Sequence, residues 1–174
     1  DCIVIGHVAG FVYQKNHSFV IKILKSLQKT NLKFKIFFVG IGEELEKIKI
    51  NVNEFNLSNN VVFLNQRNDV QDLMQLFDIL ILPSHFEGFG FVVIEAQCSG
   101  LPCLVSNGVP QEVKVTDLVH FLSLKDPEEW SRYIIKYGCL NRSDRSKDVA
   151  KAGFDIKENI KKIEKLYIDI VNCN

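Results

Sequence analysis

Hydrophobic positions along the chain follow two alternating patterns. Six short runs rich in β-branched and aromatic residues are apolar at consecutive positions, which is typical of strands buried on both faces. The longer stretches between them carry apolar residues at helical spacing. We predict strands over residues 3–8, 34–39, 61–64, 79–82, 103–106 and 119–122, and helices near 17–30, 43–55, 69–76, 91–99, 126–138 and 156–171.

This alternation of strands and helices predicts an α/β fold, a doubly wound parallel sheet of the Rossmann-like kind with helices on both faces. The last predicted helix begins after Asp155, and Glu158 three positions later completes a capping-box pattern. Its apolar residues form one stripe. Such a stripe must be covered, either by this sheet or by a neighbour that lies outside the chain.

Composition excludes several classes of protein. The chain has 174 residues, of which 47% are hydrophobic, so it can form one well-packed domain and is not disordered. Its 21 basic and 21 acidic residues cancel, which argues against nucleic acid or an anionic membrane as partner. No apolar run is long enough to span a bilayer. Five scattered cysteines without a C-x-x-C pair indicate reduced thiols in a cytosolic protein.

The only methionine is Met74, so the chain does not begin at an initiator methionine and is expected to be a fragment of a longer protein.

Two loops at the predicted carboxyl ends of strands carry residues that could bind or act on a ligand. In the first loop, which follows the first predicted strand, Lys15 stands just before a helix that Asn16 could cap, which suits a phosphate. The alternative is an ordinary loop with a solvated lysine. No Gly-x-Gly-x-x-Gly or P-loop pattern is present, so a dinucleotide or P-loop site is disfavoured.

The second loop follows the strand that ends before Pro83. Gly88 and Gly90 would allow backbone amides to meet an anion at the start of the next helix. Glu87 lies in this loop, and Glu95 lies in an apolar stretch of the helix. A carboxylate in such surroundings is costly unless it accepts hydrogen bonds, for which ribose hydroxyls or buried amides would serve. Ser84 and the loop at 106–112 are expected to face the same cleft.

The spacing Glu87-x7-Glu95, within Pro-Ser-x-x-Glu-Gly-Phe-Gly-x-x-x-x-Glu-Ala, resembles the signature of retaining glycosyltransferases of family four. These enzymes have the GT-B architecture, in which two Rossmann-like domains face each other across a cleft. The resemblance implies that residues 1–174 are the C-terminal, nucleotide-sugar-binding domain, and that the N-terminal acceptor domain lies outside this chain. It covers nearly the whole chain and includes Gln14-Lys15-Asn16-His17, Val39-Gly40-x-Gly42-Glu43, Asp69-Val70 and Gly100-Leu-Pro102.

The resemblance also implies a role for each site residue. Lys15 would contact the donor diphosphate and Glu87 the transferred sugar, and these two are the expected catalytic residues. The nucleoside would most commonly be uridine, and its base would lie against residues 64–67. No metal or separate cofactor is expected, because Lys15 and a helix dipole would neutralise the phosphate charge. Donor contacts are expected from Lys15, Gly88, Phe89, Gly90 and Glu95, the last through the ribose hydroxyls.

The whole protein would transfer a hexosyl unit from a nucleoside-diphosphate sugar, UDP-hexose by preference, to a glycan or lipid-linked acceptor in polysaccharide biosynthesis. The resemblance implies a cytoplasmic protein and leaves open a peripheral position at the inner membrane face. The isolated chain is expected to bind the donor without transferring its sugar, because the acceptor site belongs to the other half.

One position departs from the family pattern. Relatives usually carry an arginine five residues before the loop lysine, and here that position is Gly10. Losing this arm of the phosphate clamp would cost about 2–4 kcal/mol of leaving-group stabilisation. The alternatives are a non-catalytic sugar-nucleotide-binding domain, replacement of the arginine by His7 or by a group from the other half, and a sugar-nucleotide 2-epimerase half, which fits the Glu87-x7-Glu95 loop less well.

Overall fold

A computed structural model describes residues 2–172 of the chain. Its centre is one six-stranded parallel sheet with the order β3-β2-β1-β4-β5-β6. All six predicted strands are confirmed to within one residue, and so is the Rossmann-like class. The strands are β1 (Cys2–Val8), β2 (Lys33–Val39), β3 (Val61–Leu64), β4 (Ile79–Leu82), β5 (Cys103–Ser106) and β6 (Val119–Leu122).

Helices connect the strands and cover both faces of the sheet. All six predicted helices are present, and one short helix and three single turns were not predicted. The helices are α1 (His17–Gln28), α2 (Leu45–Glu54), α3 (Val70–Leu76), α4 (Phe91–Cys98), α5 (Pro127–Tyr137), α6 (Ser146–Val149) and α7 (Ile156–Asn172), with 3₁₀ turns at Tyr13–Lys15 and Gln111–Val113 and a π-helical turn at Ala150–Phe154.

Burial of both faces of the strands explains why their sequences are continuous apolar runs. Ile79 and Ile81 of β4 belong to the core on one face, whereas Leu80 and Leu82 belong to the core on the other face, and all four are buried. Successive side chains of a strand point to opposite faces, so a strand covered on both sides must be apolar throughout.

The strand order determines where a ligand can bind. β1 pairs with β2 on one side and with β4 on the other, so the chain order reverses between β1 and β4. The loops that leave the carboxyl ends of these two strands therefore diverge to opposite faces and leave a crevice between them. These are the two loops in which the sequence places its candidate residues.

Helix α7 does not pack on this sheet. The amides of Lys157 and Glu158 donate to the Asp155 carboxylate, which confirms Asp155 as the cap. The reciprocal half of the capping box is not found within residues 2–172, where the Glu158 carboxylate accepts from Lys161 instead. No described residue of the helix is buried. The sequence predicts that the apolar stripe of this helix is covered either by the sheet or by a neighbour outside the chain. The first alternative is wrong, and the second stays a prediction. The apolar residues of the stripe are Ile156, Ile160, Ile163, Tyr167 and Ile170, all at least 49% exposed.

Two further features concern the predicted class of protein. Cys2, Cys98, Cys103 and Cys139 are free thiols, and Cys173 lies outside the described residues. Within residues 2–172, none of the helices combines the length and the apolar character that a membrane crossing requires.

Candidate functional site

The loops after β1 and β4 meet through an ion pair. The Lys15 Nζ lies 2.5 Å from the Glu87 Oε1, although 72 residues separate the two along the chain. The Glu87 side chain is 5% exposed and that of Lys15 is 22% exposed. The two residues predicted to act on the same donor are thus brought together, and the pair is sheltered enough for its charges to interact strongly.

The Glu87 carboxylate has two further donors. The Ser84 hydroxyl donates to Oε1 at 2.6 Å, and the Gln14 amide nitrogen lies 3.3 Å from Oε2. Oε1 therefore accepts two short hydrogen bonds, while Oε2 accepts one long one. Oε2 is the oxygen with capacity left to accept a ligand hydroxyl.

Backbone amides form a second part of the site, at the start of α4. Gly90 is the N-cap residue in the left-handed region, with φ +97°, and its carbonyl accepts the Val93 amide. Within residues 2–172, the amides of positions 88–92 donate no hydrogen bond. Unpaired amides at a helix N-terminus bind anions, so this loop suits a phosphate.

The N-terminus of α1 adjoins Lys15 and is arranged differently from the prediction. Asn16 occupies the N-cap position in the left-handed region, and its side chain makes no capping hydrogen bond. Its carbonyl instead accepts the Phe19 and Val20 amides. The predicted Asn16 side-chain cap is wrong, because a capping side chain normally requires extended backbone at that residue.

Glu95 is exposed rather than enclosed by apolar side chains. Val93, Ile94 and Ala96 are buried, whereas Glu95 lies on the solvent side of α4. No hydrogen bond or ion pair of its side chain is found within residues 2–172, and partial desolvation raises the pKa of its carboxyl. The prediction that Glu95 is surrounded by apolar side chains, and therefore needs hydrogen bonds to offset the cost of burial, is wrong. The carboxylate is instead free to accept from a ligand.

The backbone at Gly10 has room for a side chain. A Cβ at this position would lie 3.4 Å from the Ile41 carbonyl oxygen, which is ordinary contact, and Gly10 is not in the left-handed region. The local conformation therefore does not require glycine at this position.

In the loop after β3, where the base is predicted to lie, the Arg67 guanidinium donates to the Asp69 carboxylate from Nε at 2.8 Å and from Nη2 at 2.5 Å.

His7 does not replace the missing arginine. The ring is fully buried, its Nδ1 lies 2.9 Å from the Ile81 carbonyl oxygen, and burial lowers its pKa to about 4. His17 packs against it with 4.5 Å between ring centroids, and burial lowers the pKa of His17 to about 2. Both rings are neutral at physiological pH, so the alternative in which His7 supplies the positive charge is wrong.

Two contacts at the site were not foreseen. Ser84 was expected to face the cleft, but it is fully buried and bonded to Glu87. Gln14 contacts the second loop through both its backbone and its side chain. The sequence signal was their position: Ser84 lies three residues before Glu87, and Gln14 directly precedes Lys15.

Comparison with known proteins finds similarity to glycosyltransferases, both in a family model and in individual relatives. The family model for Glycosyl transferases group 1 matches residues 1–154. The chain is 33% identical over 172 residues to the putative glycosyltransferase EpsF of Bacillus subtilis, covering 96% of this chain and 45% of that protein. It is 31% identical over 169 residues to UDP-Gal:alpha-D-GlcNAc-diphosphoundecaprenol alpha-1,3-galactosyltransferase of Escherichia coli, covering 91% and 43%.

A solved structure supports the fold. HepE of Anabaena, in complex with UDP and glucose, aligns with a TM-score of 0.79 at 20% identity and covers 95% of this chain and 48% of that one. The chain spans less than half the length of the curated relatives described above. With the family model matching most of its length, this chain belongs to the group 1 glycosyl transferase family.

Proposed function

We propose that this chain is the donor-binding half of a retaining, metal-independent glycosyltransferase that takes a hexosyl unit from a nucleoside-diphosphate sugar, UDP-hexose by preference. The observation that carries the proposal is the Lys15–Glu87 ion pair beside the unpaired amides of positions 88–92. One cation, one carboxylate and a row of amides suit a ligand that joins a diphosphate to a hydroxylated ring.

Lys15 and the amides would bind the diphosphate. When the bond to the sugar breaks, negative charge develops on the departing phosphate, and preorganised donors stabilise it most where water is excluded. Lys15 lies beside the N-terminus of α1, and the free amides belong to the start of α4. Two helix N-termini and one ammonium group supply positive charge of the kind that a metal ion supplies in other transferases.

Glu87 and Glu95 would bind the two hydroxylated parts of the donor. Glu87 Oε2 has capacity to accept from a hexose hydroxyl. Glu95 is exposed on α4 and can accept from the ribose hydroxyls. A donor diphosphate would compete with Glu87 for Lys15, so binding involves sharing of the lysine between the two anions.

The acceptor would bind to a part of the protein outside this chain. The E. coli relative is named for transfer of galactose to a GlcNAc-diphosphoundecaprenol, a lipid-linked sugar. A lipid-linked or glycan acceptor in polysaccharide biosynthesis, bound by an N-terminal domain, follows by analogy. So does a cytoplasmic position at the inner membrane face. On this account the described domain binds the donor and the whole protein transfers the sugar.

Gly10 favours a second candidate, a domain that binds a sugar nucleotide without transfer. An arginine there would add a bidentate phosphate contact, and the 3.4 Å clearance to the Ile41 carbonyl oxygen admits its Cβ. We predict that Gly10→Arg strengthens UDP binding about tenfold or more relative to Gly10→Gln, which has similar bulk and no charge.

The two candidates are separated in the protein that carries this chain. Titration calorimetry gives the affinity for UDP, and release of UDP from UDP-glucose, UDP-galactose and UDP-GlcNAc is followed with an undecaprenyl-diphosphate-linked sugar as acceptor. Transfer by the unaltered protein supports the enzyme. Binding without transfer, with transfer appearing in Gly10→Arg, supports the second candidate. Absence of nucleotide binding in every variant contradicts both.

A further inference from the structure

One hydrogen-bond donor to the Glu87 carboxylate has no other acceptor among the described residues. The Ser84 side chain is fully buried, and its hydroxyl donates to Glu87 Oε1 at 2.6 Å. Within residues 2–172 this is the single acceptor found for that hydroxyl. Removing the hydroxyl would therefore leave the backbone hydrogen bonds of the loop in place and would change chiefly what holds the carboxylate.

Gln14 holds the same carboxylate from the loop after β1. Its amide nitrogen donates to the Phe86 carbonyl at 2.9 Å and lies 3.3 Å from Glu87 Oε2. The backbone carbonyl of Gln14 accepts the His85 amide at 2.8 Å. Gln14 thus bonds to three successive residues that end at Glu87, and it directly precedes Lys15.

The loop after β5 holds the other side of residues 84–87. The Glu87 amide donates to the Gly108 carbonyl at 3.0 Å, and the Ser106 hydroxyl donates to the Ser84 carbonyl. A Cβ at Gly108 would lie 2.1 Å from the His85 carbonyl oxygen, so this close approach requires glycine. The backbone under Glu87 is therefore fixed independently of the Ser84 hydroxyl.

We propose that Ser84, assisted by Gln14, is a positioning residue that holds Glu87 for the donor sugar; this inference rests on the proposed function. Lys15 also bonds to Oε1, but a bound diphosphate would draw that lysine away. The Ser84 hydroxyl then remains as the short, charge-assisted donor that fixes Oε1 and leaves Oε2 for the hexose. A carboxylate held in one orientation loses less conformational entropy when the sugar binds.

The test separates sugar binding from nucleotide binding. In the protein that carries this chain, calorimetry measures Kd for UDP and for UDP-glucose, UDP-galactose and UDP-GlcNAc. For the hexose that binds best, the ratio of the UDP Kd to the UDP-sugar Kd isolates the contribution of the sugar. We expect Ser84→Ala to lower this ratio about five- to tenfold, with the UDP Kd unchanged within about twofold.

Two further variants serve as controls. Ser84→Thr keeps the hydroxyl and should retain most of the ratio. Ser131→Ala removes another buried serine, whose hydroxyl bonds to the Ile23 and Pro127 carbonyls in a different part of the core, and should leave the ratio unchanged. Gln14→Ala should act in the same direction as Ser84→Ala but less strongly, because its bond to Glu87 is long.

The outcomes distinguish the inference from the function on which it rests. An unchanged ratio in Ser84→Ala, or an equal loss of affinity for UDP and UDP-sugar, overturns the positioning role while the proposed function stands. A wild-type protein that binds neither UDP nor any of the UDP-sugars overturns the proposed UDP-sugar donor, and the inference with it.

Discussion

Lys15 and Glu87 form their ion pair from two loops that are 72 residues apart in sequence. Their chemical types were predictable, because a cation before a helix and a carboxylate in a glycine-rich loop suit a phosphate and a sugar. Their direct contact was not, because no local pattern encodes it. The same holds for Ser84, whose hydroxyl satisfies the Glu87 carboxylate inside the loop rather than facing a ligand.

His7 and His17 show what sequence reasoning could not reach at the scale of single residues. The sequence offered His7 as a replacement for the arginine and placed His17 directly after the candidate phosphate loop, but the structure buries both rings completely. His7 Nε2 and both ring nitrogens of His17 are buried without a hydrogen-bond partner among residues 2–172. Burial of this kind penalises the charged form, and nearby Lys15 lowers both pKa values further.

This histidine pair predicts a loss of stability in acid. Both folded-state pKa values, about 4 for His7 and about 2 for His17, lie below the ordinary value of 6.5. The unfolded chain therefore binds more protons below pH 6.5, and the free energy of unfolding falls as the pH is lowered from 6.5 to 4. Each histidine contributes about 3 kcal/mol over that interval.

His17→Phe tests this prediction. Phenylalanine keeps the stacking on Phe11, whose ring centroid lies 4.1 Å from that of His17, and removes one titrating group. Urea unfolding at pH 4.5, 5.5 and 6.5 should show a shallower fall in unfolding free energy than in the unaltered chain, by about 1 kcal/mol per pH unit. Parallel curves for the two proteins would contradict the prediction, because they would mean that folding leaves the pKa of His17 unchanged.

At the scale of elements, the spacing of hydrophobic positions was sufficient to predict the strands and the longer helices. Buried β4 and β5 read as continuous apolar runs, and α1 and α5 carry one apolar face each. Helix α6 and the π-helical turn after it were missed. They span only four and five residues, too few to establish a periodic pattern, and the turn contains Gly153 at φ +97°.

Helix α7 has the apolar stripe that the sequence predicts but no cover among the described residues. We therefore predict that Ile163→Ala, at a position 53% exposed, changes the unfolding free energy of this domain by less than about 0.5 kcal/mol. Ile134→Ala in α5, at a fully buried position, should cost about 2–5 kcal/mol. Denaturant unfolding of the two variants provides the comparison.

A cost for Ile163→Ala similar to that for Ile134→Ala would show that α7 is packed within this domain. A small cost in the domain together with a large one in the longer protein would instead indicate that the stripe is covered by a part of the protein outside this chain.

At the scale of the whole molecule, the strand order brings the site together. The sequence predicts six parallel strands but not that β1 and β4 are neighbours, because pairing between strands about 75 residues apart leaves no local trace. Once they pair, the reversal of strand order places the loops with Lys15 and Glu87 at one crevice. Fold class and candidate residues were therefore predictable, whereas the contacts that organise the site required the structure.

The central claim is that Lys15 binds the diphosphate of a donor nucleotide. Titration calorimetry of the protein that carries this chain, with UDP and with uridine, tests it most directly. Lys15→Ala should weaken UDP at least about tenfold and leave uridine unchanged, because the charge acts on phosphate alone. Lys22→Ala, at an exposed lysine of α1, should change neither. Equal losses for UDP and uridine in Lys15→Ala, or no loss for either, would contradict the account.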